Sequence, residues 1–252
     1  MAKVFLSAGH GGTDPGAVGY GLKEKDINLT VLKTCRDELE RHKVTVVCSR
    51  EKDENDPVGQ EVKEANKSGA AIAVSFHINA GGGDGFEAFC NTKNANGKKL
   101  AELGEKYVKA LGQNSRGVKN GIHLYFIKNT TMTSVLFESF FIDNDKDNNI
   151  GDTVAEQKKF GVAYAKAILE YLGIKYVAES KTTTSSKTSS TSTFKVKVTA
   201  TRLNVRAGAG TSYKVNTVVY KDQVYTITDV SGKWYKLKSG AGWIHSDYTK
   251  RI

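Results

Sequence analysis

Four polar residues, His10, Glu24, His77 and Glu138, stand where short apolar or amphipathic runs give way to loops. Two imidazoles and one carboxylate can hold Zn²⁺ with a fourth position open, and a second carboxylate is then free to handle protons. Such a set suits hydrolysis of an unactivated amide, because the cation brings bound water toward a pKa of about 7. The four are widely separated and share no local spacing of the HExxH kind, so the pattern alone is weakly specific. Each also has an ordinary reading. His10 serves as a loop histidine, His77 as a satisfied histidine at a core edge, and Glu24 as an acid favoured at a helix start by a fraction of a kcal/mol. Glu138 is the hardest to set aside, since it ends the apolar run SVLF, where a carboxylate is costly unless paired or close to a cation.

The elements that must position these residues are legible from periodicity. KVFLSA (3–8) predicts a buried strand that delivers His10 into the glycine-rich turn GHGGTDPG. EKDINLTVLKTCRDELERH places Ile27, Val31, Cys35 and Leu39 on one helical face, with Glu24 in or just before the first turn. VTVVC (44–48) predicts a strand, 57–69 a helix opened by Pro57, and AIAVSF (71–76) a central strand leading to His77. FEAFC (86–90), IHLYFI (122–127) and SVLFE (134–138) predict further strands, and 96–112 and 154–173 further helices. Strands alternating with helices predict a three-layer α/β sandwich with a mostly parallel or mixed central sheet and its site beyond strand ends. Asn79 falls on the same side as His77 and His123 on a strand surface, and both are candidates to contact substrate; His42 reads as a helix cap and His245 belongs to a later segment.

The 252 residues predict two domains. Residues 180–193, SKTTTSSKTSSTST, hold almost nothing apolar and predict a flexible linker, giving domains at 1–175 and 195–252 with the linker at 176–194. Beyond it, short alternating runs with Gly-rich turns predict a small all-β barrel with a core of Leu203, Val205, Val218, Val224, Ile227, Trp234, Leu237, Trp243 and Ile244. Charge is uneven: 24 Lys/Arg face 23 Asp/Glu in residues 1–175, against 11 and 3 in residues 195–252. A basic module of this kind is drawn to polyanions, among them anionic wall polymers. No helix presents a Lys/Arg-rich face, which argues against nucleic acid as the partner. Cys35, Cys48 and Cys90 show no CxxC pairing and read as small core hydrophobes. The N-terminus lacks a secretory apolar core, and no stretch approaches the roughly 18 apolar residues of a membrane span, so the chain is expected to be made in the cytoplasm.

SAGHGGTDPGAVG (7–19), LKEKD (22–26), SFHINA (75–80), RGVK (116–119) and SVLFESFFIDNDKD (134–147) together resemble the zinc-dependent N-acetylmuramoyl-L-alanine amidases of type 3, a family of bacterial autolysins and phage endolysins. The resemblance covers the first domain from end to end. It implies His10, Glu24 and His77 as metal ligands, Glu138 as the catalytic glutamate, and cleavage of the amide joining muramic acid to L-alanine in peptidoglycan. Two positions depart from the family's habit: Thr133 stands where proline is common before the strand, and Ser139 where glycine is common after the glutamate. LNVRAGAGTSYKV (203–215), GKWYKL (232–237) and GAGWIHSDY (240–248) look like a bacterial SH3 domain, which implies binding to the wall. The missing leader favours a phage endolysin, and a basic wall-binding module suits a Gram-positive wall. A zinc peptidase cutting inside the stem peptide and a non-enzymatic wall-binding protein stay open as alternatives.

Overall fold

The computed structural model describes residues 2–178, 193–211 and 213–252, with the side chains of residues 148 and 149 left out. The chain forms two compact units, Met1–Ala178 and Glu179–Ile252. Most of the stretch read as a linker, 179–192, lies outside the described residues.

In chain order the first unit contains β1 (Lys3–Ala8), β2 (Val18–Gly19), β3 (Leu22–Lys23), α1 (Glu24–Arg41), β4 (Thr45–Cys48), α2 (Val58–Lys67), β5 (Ile72–Asn79), β6 (Phe86–Cys90), α3 (Ala95–Lys109), β7 (Ser115–Asn120), α4 (Tyr125–Asn129), β8 (Thr133–Phe141), α5 (Asp145–Gly151) and α6 (Val154–Tyr171). Its main sheet runs β4-β1-β5-β8-β6-β7. β4, β1, β5 and β8 are mutually parallel, whereas β6 meets β8 antiparallel and carries β7 parallel to itself. The sheet is therefore mixed. One face buries Val4, Leu6, Val74, Phe76, Val135 and Phe137 beneath α1, α3 and α6. The other buries Phe5, Ala73 and Leu136 against Val62 and Ala65 of α2 and Phe126 and Ile127 of α4, completing three layers.

Parallel strands gather their C-terminal ends on one edge, where His10 follows β1 and His77 and Glu138 stand in register on β5 and β8. Both strands continue past the residues that end their apolar runs. α6 opens with a capping box in which Thr153 and Glu156 satisfy each other's backbone N–H groups, and α1 closes on His42, whose ring caps Glu38 O at 2.7 Å. Cys35 and Cys90 are buried and Cys48 half-buried, all as free thiols.

The strand expected at 122–127 is not one. The sheet's edge is SRGVKN, a polar strand seven residues earlier, and the apolar run turns at Gly121 and coils into α4 so that Phe126 and Ile127 both reach α2. A short apolar run does not distinguish strand from helix by periodicity.

The second unit contains β9 (Phe194–Val198), β10 (Arg202–Arg206), β11 (Val215–Tyr220), β12 (Val224–Ser231), β13 (Trp234–Leu237), β14 (Trp243–His245), one 3₁₀ turn (Ser246–Tyr248) and β15 (Thr249–Arg251). Its antiparallel ladder runs β11-β10-β14-β13-β12-β9-β15 around Val196, Val198, Leu203, Val205, Val219, Ile227, Leu237 and Ile244. The expected core needs correction at four places: Val224 is exposed, Val218, Trp234 and Trp243 are only half-buried, and Val196, Val198 and Val219 supply the missing volume. Leu203 pairs with Val219, which puts Val219 and not Val218 on the inner face.

Candidate metal centre and active site

Glu24 is the first residue of α1 and almost wholly buried. Its Oε2 accepts from Ala17 N at 2.8 Å, and its Oε1 accepts from Ile78 N at 3.0 Å and Asn28 Nδ2 at 3.3 Å. Two imidazoles converge on the same carboxylate, His10 Nε2 at 3.2 Å and His77 Nδ1 at 3.0 Å. Burial alone would push the Glu24 pKa up, but the hydrogen bonds from His10 and His77 hold it well below the usual carboxylate range. The His10 pKa rises to about 9, chiefly through its bond to Glu24, with Asp14 adding to the effect. For His77, burial favours the neutral ring, and Glu24 and Glu138 outweigh it to raise the pKa.

This donor set fits a metal ion. One ligand atom from each of His10, Glu24 and His77 lies within 4.8 Å of the others. Neighbouring ligands around tetrahedral zinc, with bonds near 2.05 Å, stand about 3.3 Å apart, close to the separations that Glu24 makes with the two rings. A cation between the two rings and Glu24 would replace these hydrogen bonds with metal–ligand contacts to neutral imidazoles.

The backbone is shaped for this convergence. His10 has φ 66°, a left-handed conformation that a non-glycine residue adopts at some cost. An added Cβ on Gly9 would stand 2.1 Å from His77 Cε1, and one on Gly16 would stand 2.6 Å from Glu24 Oε2. Both glycines are therefore required by side chains of the site. Arg50, almost fully buried, donates from Nε to Ala8 O at 2.9 Å and from Nη2 to Lys25 O at 2.7 Å and Gly9 O at 3.4 Å. Lys25 Nζ donates to Gly12 O at 2.8 Å and to Asp53 Oδ2 at 2.6 Å. The turn that carries His10 is thus bolted down from beneath.

Asp14 accepts from His10 Nδ1 at 2.7 Å, which fixes the ring and leaves Nε2 toward Glu24. Carboxylates in this position orient metal-binding histidines. Asp14→Ala is expected to weaken metal affinity roughly 10- to 100-fold with little change in thermal stability. A chelator-competition titration checks it, and wild-type affinity would remove Asp14 from the site.

Glu138 stands beside His77 in register on β8, with Glu87 of β6 opposite on its other side. Its Oε2 is buried and has no hydrogen-bond partner. Burial lifts its pKa to about 7, with Glu24 and Glu87 raising it further and the two histidines opposing. A carboxyl so placed can take up and return a proton near neutrality. Glu87 is buried and accepts from Asn79 Nδ2 at 3.1 Å, from Lys119 Nζ at 2.5 Å and from Arg116 Nε. Burial would raise its pKa, but Lys119 and Arg116 hold it below the ordinary value.

The structure thus brings His10, Glu24, His77 and Glu138 together. Asn79 joins them indirectly: its amide nitrogen serves Glu87 and its oxygen accepts from Ala80 N at 2.9 Å, so both polar ends are taken up within the protein. His123 is set apart, exposed in the turn after β7 with its ring edge-on to Phe89 at 6.2 Å. Asp14, Arg50 and Glu87 escaped the sequence reading. Asp14 lay within signal, four residues after His10 in the glycine-rich turn, and Glu87 interrupts the apolar strand FEAFC much as Glu138 ends SVLF. Ser139, the departure after Glu138, is fully buried and its hydroxyl lies 2.8 Å from the hydroxyl of Tyr164, which gives the extra oxygen a partner.

Clustered imidazoles and carboxylates at the C-terminal edge of a mixed α/β sheet define a hydrolase site. A family model described as N-acetylmuramoyl-L-alanine amidase matches residues 4–170, and one described as bacterial SH3 domain matches residues 201–250. The chain belongs to the N-acetylmuramoyl-L-alanine amidase family and acts on bacterial peptidoglycan. It is 34% identical to an endolysin of Bacillus phage SPP1 over 94% of this chain and 93% of that protein. It is 29% identical to the sporulation-specific N-acetylmuramoyl-L-alanine amidase of Bacillus subtilis, over 71% of this chain and 72% of the relative. Among solved structures, the catalytic domain of CwlV, an N-acetylmuramoyl-L-alanine amidase from Bacillus (Paenibacillus) polymyxa var. colistinus, superposes with a TM-score of 0.65 at 32% identity, covering 69% of this chain and all of that one.

Proposed function

We propose that the chain is a zinc-dependent phage endolysin in which residues 1–175 cleave the bond between N-acetylmuramic acid and L-alanine and residues 195–252 hold the enzyme to the wall. The observation that carries this reading is the convergence of His10 and His77 on one buried carboxylate, with the unpartnered oxygen of Glu138 beside them. His10, Glu24 and His77 would hold Zn²⁺, which when bound supplies a Lewis-acid charge and lowers the pKa of water. Asp14 keeps the His10 ring in place, and the backbone N–H groups of Ala17 and Ile78 hold the Glu24 carboxylate in position. Glu138 accepts the proton of the attacking water at Oε2 and returns one to the departing L-alanine amine, so a single carboxyl serves both steps in turn.

Likeness to the SPP1 endolysin along nearly the whole chain supports a role in host lysis at the cell wall. Among the described residues no helix is long and apolar enough to cross a membrane. The second unit offers a cavity of about 690 Å³ lined in part by Arg202, Arg206, Trp234 and Tyr248, a cationic and aromatic surface suited to anionic wall polymer or glycan.

Digestion of purified Gram-positive peptidoglycan, with and without a chelator, tests the reaction. The expected products are new N-terminal L-alanine residues and no new reducing sugar ends, lost on chelation and restored by zinc. A different amino terminus would mean a zinc peptidase, and cleavage indifferent to chelation would exclude the metal.

A further inference from the structure

On the sheet face that carries His77 and Glu138, two cations gather around a single carboxylate. Arg116 and Lys119 of β7 both reach Glu87 Oε1, while Asn79 takes Oε2. One positive charge is left over. Neither head group is enclosed, since the Arg116 side chain is 44% exposed and that of Lys119 is 38% exposed, against 6% for Glu87. Arg116 spends its Nε edge on Glu87, which leaves the two terminal nitrogens, the edge that grips a carboxylate with two parallel bonds. The guanidinium lies over the Phe141 ring at 5.3 Å and the ammonium over Phe89 at 5.9 Å, so both heads rest on aromatic faces.

The ledge has a fixed relation to the proposed scissile bond. Glu87 is the register partner of Glu138, and β7 is the next strand out. With strands about 4.8 Å apart, the cations lie roughly 10 Å from β8, less the reach of their own side chains. A peptide leaving the amide at Glu138 and crossing these strands advances about 3.5 Å per residue, so its second residue arrives at the ledge. In bacterial stem peptides that residue is a glutamate linked onward through its side-chain carboxyl, and its α-carboxyl is either free or capped as an amide.

We propose that Arg116 and Lys119 form a subsite for the free α-carboxylate of the second stem residue, held in position by Glu87 and Asn79, and that the enzyme therefore prefers walls in which this carboxylate is not amidated. The proposal rests on the reading of Glu138 as the cleaving end of the cleft. Glu87 does not compete for the ligand: it is the buried anchor that fixes both cations, and the substrate carboxylate supplies the second negative charge that balances them.

The test compares two synthetic muropeptides that differ only in this group, carboxylate or carboxamide, with wild type, Arg116→Gln and Lys119→Gln. Wild type is expected to favour the carboxylate about tenfold in kcat/KM, with the difference in KM, as one charge-assisted contact implies. In Arg116→Gln the ratio between the two substrates should fall toward one, and in Lys119→Gln it should fall part of the way. This ratio is insensitive to the fraction of folded or metal-loaded enzyme, so general damage does not imitate the result. Equal use of both substrates by wild type, or a full preference surviving in both variants, would overturn the proposal. A failure of the catalytic reading looks different: wild type would then expose some terminus other than L-alanine from both substrates.

Discussion

Glu138→Gln is expected to lower kcat by roughly 10²- to 10⁴-fold while zinc content and the fold stay as in the wild type. The amide keeps the shape of the carboxyl but cannot take a proton from water or hand one to the leaving amine. The substitution breaks no hydrogen bond at Oε2, because that atom has no partner to lose. Any structural penalty is bounded by one unsatisfied buried amide, roughly 1 to 3 kcal/mol, set against a carboxyl that is itself unsatisfied there. Since proton transfer belongs to the transition state, KM should barely change and kcat and kcat/KM should fall together. Turnover by the zinc-loaded variant, measured by release of N-terminal L-alanine, decides the matter. Wild-type turnover would remove Glu138 from the chemistry and leave its buried, unpartnered oxygen without an explanation.

Much of this arrangement could be read from residue types because a sheet with parallel strands collects its strand ends on one edge. AIAVSF and SVLF are unambiguous buried runs, and whatever polar residue follows each of them must stand at the same edge as the residue following KVFLSA. The strands' true ends were hidden by the site itself: β5 runs on to Asn79 and β8 to Phe141, but His77, Asn79, Glu138 and Ser139 break the apolar pattern at the point where function begins. β7 was illegible because an edge strand of SRGVKN has one large apolar residue and its polar side chains serve Glu87 on the neighbouring strand. Arg50 was illegible for a different reason. An arginine in a charged loop reads as solvated, and only the four backbone carbonyls that accept from it reveal that it is a buried strut. In the second unit the alternation was correct in period and wrong by one residue at Val218 and Val219, a slip that reverses which side faces the core.

Glu24→Gln should abolish activity by a separate route, through loss of the metal. The glutamine oxygen can still accept from Ala17 N or from Ile78 N, so the start of α1 keeps part of its local support. What disappears is the negative charge around which both imidazoles are arranged. With two neutral nitrogens and a weakly donating amide, the site no longer matches the two-nitrogen, one-carboxylate set that zinc favours, and affinity is expected to fall by at least about a hundredfold. The variant's spectrum with cobalt as a substitute ion should lose its tetrahedral absorption bands at metal concentrations that saturate the wild type. Glu138→Gln, measured alongside, should keep them. A Glu24→Gln protein that bound zinc or cobalt as tightly as the wild type would show that the two histidines find their third ligand elsewhere. Where the two variants diverge in metal affinity while both lose turnover, the carboxylate that holds the ion is separated from the carboxylate that moves the proton.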